Sequence, residues 1–127
     1  MTTTELTVQL YRERGYMTAV VEKWVPHRSI RQDLFGIGDV IAVHPNRTGC
    51  TLIQCTTVDH VNDRWQKCIT SPSLSTWLAA GNAFTIIGWE QRRSEGGQRL
   101  LWRHIEKPVT DGLRRSTTGS KQPAGCG

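Results

Sequence analysis

Two apolar runs separated by a short polar turn constrain this chain more than any other feature. The first, Gly36-Ile37-Gly38-Asp39-Val40-Ile41-Ala42-Val43, is apolar at nearly every position; the second is Cys50-Thr51-Leu52-Ile53-Gln54-Cys55-Thr56. Between them lies Pro45-Asn46-Arg47-Thr48-Gly49, a cluster of turn-forming residues. A turn this short makes the two runs an antiparallel hairpin, and a strand apolar on both faces has to be covered on both sides. The rest of the chain must supply that cover.

It does so with a helix ahead of the hairpin and helices behind it. Thr2 and Glu5 have the spacing of a capping box, and Leu6, Val8, Leu10 and Tyr11 follow up to Gly15, which predicts a helix over about 3–14. Tyr16–Val25 is rich in β-branched and aromatic residues and ends at Pro26, which predicts a first strand. Residues 27–35 read as a polar, basic loop. After the hairpin, Val58, Val61, Trp65, Cys68 and Ile69 recur at helical spacing, and Ser71-Pro72 opens a second helical stretch with Leu74, Trp77 and Leu78 facing inward before Gly81. Two strands, about 83–89 and 99–105, flank a turn at Ser94-Glu95-Gly96-Gly97. The order α-β-β-β-α-β-β predicts an α/β fold with a mixed central sheet flanked by helices. Trp24, Trp65, Trp77, Trp89 and Trp102 fall at inward positions of this pattern and are expected in the core.

The 127 residues, 37% of them hydrophobic, are enough for one core. One domain is expected over 1–106, followed by a disordered basic tail over 107–127, where Gly, Ser, Thr, Pro and charge dominate. Residues 1–106 carry 12 basic and 10 acidic side chains and 107–127 carry 4 and 1, so the tail holds +3 of the net +5. That excess suits a polyanionic partner and suits a solvated surface nearly as well. No apolar run reaches the roughly 18 residues of a membrane span, and the polar amino terminus is unlike a signal peptide, so a cytoplasmic protein is expected. Cys50, Cys55, Cys68 and Cys126 lack the paired spacing of a zinc site and read as reduced thiols. His27, His44, His60 and His104 share no ligand spacing.

Asp39 is the acid embedded in the apolar run, and a buried carboxylate requires a partner, hydrogen bonds or a metal. If the inward faces of the two hairpin strands coincide, Asp39, Gln54 and Thr56 converge. Asp39 could instead cap the Gly36–Gly38 turn, Asp33 could cap its own loop, and Glu5 has a sufficient reason to exist in the capping box. Arg28, Arg31 and Arg47 lie in predicted loops near one end of the hairpin or the other, where they could meet phosphates or simply be solvated.

On these residues the sequence resembles the PD-(D/E)XK nuclease superfamily, and within it the resolvases of Holliday junctions and related phage endonuclease-like proteins. The resemblance spans about 5–106. Arg31-Gln32-Asp33-Leu34-Phe35-Gly36-Ile37-Gly38-Asp39 looks like the stretch leading to the motif Asp, Gln54-Cys55-Thr56 stands at (D/E)-x-K, and Trp77–Asn82 with Gly88-Trp89 also looks like the phage group. The resemblance implies a restriction-endonuclease-like αβββαβ core. It implies Mg²⁺ (or Mn²⁺) held by Asp39 and Gln54 with Asp33 or Glu5, DNA as substrate contacted by Arg28, Arg31 and Arg47, and a homodimer. Two hallmark residues depart from the family: Gln54 offers a neutral carbonyl instead of a carboxylate, and Thr56 has no charge, so the lysine's role would pass to Lys67 or Lys23. The expected activity is metal-dependent endonucleolytic hydrolysis. The alternative is a catalytically inactive module of the same fold that binds nucleic acid or a protein partner.

Overall fold

The computed structural model describes residues 1–110. Helix α1 (Thr3–Glu13) begins at the expected capping box: Glu5 N–H donates to Thr2 Oγ1 and Thr2 N–H to Glu5 Oε1. Strand β1 (Met17–Val20) follows, then a separate small hairpin of β2 (Lys23–Val25) and β3 (Ile30–Gln32). Strands β4 (Val40–Val43) and β5 (Thr51–Thr57) form the expected antiparallel pair. Helices α2 (Val61–Ile69) and α3 (Pro72–Ala79) lead to β6 (Ala83–Arg93) and β7 (Leu100–Val109).

Five strands make one mixed sheet in the order β1-β4-β5-β6-β7, antiparallel except for the β5–β6 pair. The fold is α/β with helices on both faces, as the sequence implied. Helix α1 contributes Leu6 and Tyr11 to one core, against Val40, Ala42, Ile53, Cys55, Ile87 and Trp89. Val61, Cys68, Leu74 and Leu78 of α2 and α3 pack with Leu52, Phe84 and Ile86 in the other. Alternation along β5 and β6 therefore feeds both layers. Gly88 lets α2 close onto the sheet, because a Cβ there would stand 2.4 Å from Val61 Cγ2 and 3.0 Å from Val58 Cα.

Three expectations need correction. The strand expected over 16–25 is two strands of different sheets, and part of the expected loop over 27–35 is β3. The β-prone run over 16–25 is extended as its propensity implied, but partner choice is a tertiary matter, and Ile30–Gln32 carries no strand signal of its own. Trp24 and Trp102 are exposed, not core, because each lies on a hairpin with no layer above it. The last strand runs on to Val109, so 107–109 belong to the sheet and not to a tail; residues 111–127 lie outside the described residues. Among the described residues no helix is long and apolar enough to cross a membrane.

Candidate metal centre

β4 and β5 pair Val40 with Ile53, which sets Asp39 opposite Gln54 one step further along. Asp39 is 5% exposed and Gln54 3%. The Asp39 carboxylate is tied to the hairpin: Cys55 N–H donates to Asp39 Oδ1 at 3.0 Å, while Asp39 N–H donates to Ile53 O at 2.9 Å. Gln54 turns its amide nitrogen toward Asp33 Oδ2 (3.0 Å) and Ile37 O (3.1 Å). Asp33 is brought there by a compact turn in which Leu34 bridges Gly38, with Phe35 (φ 56°) and Gly36 (φ 72°) in the left-handed region. Glu22 arrives from the other side, just past β1, where Val21 N–H donates to Asp39 O at 2.9 Å.

The result is a group of three carboxylates, Glu22, Asp33 and Asp39, with one oxygen of each within 4.8 Å of the others. Burial pushes the Asp39 carboxyl up to about 7, reinforced by the charges of Asp33 and Glu22 and opposed by the Cys55 amide. The Arg31 guanidinium, 2.8 Å from Glu22 Oε1, partly offsets the negative charge. Three hard oxygen donors at this spacing could hold a divalent cation. Burial pushes the Cys68 thiol up to about 11, and it donates weakly to Ile37 O.

No family model, curated protein or solved structure matches this chain. The site is therefore read from its own geometry.

Of the residues singled out from the sequence, Asp39, Asp33 and Gln54 come together. Gln54 does so with its amide nitrogen donating to two acceptors, Asp33 Oδ2 and Ile37 O. Thr56 is buried two residues along the same face of β5 and supplies no charge. Lys67 is exposed on α2 next to Cys68. Glu5 is exposed, spent in its capping box, and outside the carboxylate group. Arg31 lies on β3 and pairs with Glu22 of the group, while Arg28 lies in the turn at the tip of the β2–β3 hairpin. Arg47 is on the β4–β5 turn at the opposite end of the strands, donating to the Tyr16 hydroxyl at 3.3 Å. Glu22 was missed. Its signal was legible only after the β1–β4 register, Val20 against Val40, carried the chain two residues further toward Asp39.

Proposed function

We propose that the chain is a metal-dependent nuclease that hydrolyses phosphodiester bonds of DNA, with Glu22, Asp33 and Asp39 as its metal-binding carboxylates. The observation that carries this reading is the convergence of three carboxylates around one buried at the end of the central hairpin. Carboxylates this close repel one another when all are ionised, which adds to the rise that burial gives the Asp39 carboxyl; a bound cation would relieve that repulsion. The restriction-endonuclease-like arrangement is part of the proposal, supported by a helix, three antiparallel strands, a helical crossover and a strand parallel to the third.

A bound Mg²⁺ or Mn²⁺ supplies Lewis-acid polarisation of the phosphate and an activated water. The protein's part is to hold the ligands still. The Cys55 amide fixes Asp39, the Gln54 amide fixes Asp33, and Arg31 fixes Glu22. With Thr56 uncharged, Arg31 is the cation nearest the carboxylates and takes the charge-stabilising role that the resemblance gives to a lysine.

Incubation of the protein with supercoiled, linear and four-way-junction DNA and Mg²⁺ or Mn²⁺ tests this. Cutting that is abolished by EDTA and by Asp39→Asn is the expected result. DNA binding without cutting would instead favour the inactive module, a reading that Gln54 and Thr56 at the motif positions also support.

A further inference from the structure

Two hairpins, the small β2–β3 and the long β6–β7, leave the sheet at the end that carries the carboxylates. β1 runs toward Val20, which pairs with Val40 next to Asp39, and the chain continues directly into the β2–β3 hairpin. On the far side, β5 stops pairing with β6 at Trp89, and from Glu90 onward β6 pairs with β7 alone. The two hairpins thus rise from β1 and from the β6–β7 pair, three to four inter-strand steps apart, or about 14–19 Å at the usual strand spacing. The carboxylates lie at the base of the first: Glu22 directly precedes β2, Asp33 directly follows β3, and Asp39 directly precedes β4, which pairs with β1.

The composition of these arms is unlike that of the rest of the chain. Residues 23–32 contain Lys23, Arg28 and Arg31 and no acid; residues 91–103 contain Arg92, Arg93, Arg99 and Arg103 against Glu95. Not one residue of either stretch is buried, and each exposes a tryptophan, Trp24 at 54% and Trp102 at 39%. Among the described residues Lys23, Arg28, Arg99 and Arg103 have no carboxylate within ion-pair distance, whereas Arg31 and Arg92 do. Solvated arms have no need of so one-sided a charge, and two basic projections at opposite edges of the sheet match two separated rows of phosphates.

We propose that the β2–β3 and β6–β7 hairpins are the two jaws of a clamp for a double-helical nucleic acid, each holding one phosphate row, with the carboxylates at the base of the β2–β3 jaw. The inference rests on the nuclease reading for its substrate and adds the surface that binds it. Contact through both jaws requires two rows, so a duplex binds more tightly than a single strand of the same length.

The test is the affinity of a labelled DNA duplex, measured by anisotropy in EDTA over a series of salt concentrations. The variants are Lys23→Ala with Arg28→Ala for one jaw, Arg99→Ala with Arg103→Ala for the other, and Arg47→Ala at the opposite end as control. All these side chains are exposed, and unchanged circular dichroism establishes folding. Each jaw variant is expected to weaken binding about tenfold or more and to reduce the salt slope by about 2, one for each phosphate contact removed. Arg47→Ala, on the turn at the end of the strands opposite both jaws, is expected to leave both unchanged, contrary to the DNA contact that the resemblance gave it. Equal binding by wild type and both jaw variants, or a loss in Arg47→Ala as large as theirs, would overturn the clamp. Because EDTA removes the metal, duplex binding through the jaws without any cleavage in Mg²⁺ would sink the nuclease reading and leave the clamp standing.

Discussion

At the scale of single residues, Asp39 sets the behaviour. Its carboxyl stays protonated up to about pH 7 in the folded, metal-free protein, while an unfolded chain gives up the proton near its ordinary value. The stability this contributes is fully present below about pH 4 and is lost as the pH rises through about 7, at most about 4 kcal/mol from this group. Metal-free wild type is therefore expected to melt at a lower temperature at pH 8 than at pH 5, and Asp39→Asn, neutral throughout, to flatten that dependence. A thermal-denaturation series in EDTA decides it; parallel curves for the two proteins would count against a strained Asp39. Arg31 makes the opposite prediction for two ligands. Removing its charge from beside Glu22 should tighten Mn²⁺ binding several-fold while lowering the salt slope for DNA by about 1. The functional weight of Asp39 was legible in the sequence because an acid in an apolar run is costly anywhere. That of Glu22 was not, since a Glu near the end of a strand carries no such signal until its neighbour is known.

At the scale of elements, the capping box of α1, the β4–β5 hairpin and the two later helices follow from local pattern, and each lies where periodicity put it. The first predicted strand failed because a continuous β-prone run cannot reveal that Val21 and Glu22 leave one sheet and Lys23 enters another. Trp24 and Trp102 failed for a related reason: alternation states which residues share a face and is silent on whether anything covers that face. The contact between α2 and β6 gives a sharper test. Gly88→Ala places a methyl against Val61 and the Val58 backbone, and is expected to lower stability by about 1–3 kcal/mol through overpacking. Urea denaturation measures it, and a change within error would mean that the 3₁₀ turn at Val58–His60 yields more easily than its packing implies.

At the scale of the whole molecule, charge and topology are arranged around one end of the sheet. Two helical layers bury its centre, two basic hairpins rise toward its edges, and three carboxylates gather at the base of the β2–β3 hairpin. The opposite end is tied differently: Glu106 there receives Arg14 and the Tyr11 hydroxyl, and Arg47 reaches Tyr16. The asymmetry was hidden in the sequence because the basic residues of the jaws are about 60 positions apart along the chain and are balanced in the total by acids elsewhere. It emerges only when β1 and β7 become the two edges of one sheet.

Calorimetric titration of the protein with Mn²⁺ at about pH 8, where Asp39 is mostly ionised, is the most direct check on the carboxylate centre. Saturable binding by wild type that weakens as the pH falls below about 7, releases protons near that pH, and is lost in Asp39→Asn is the predicted result. Absence of binding, or binding that Asp39→Asn leaves intact, would contradict it.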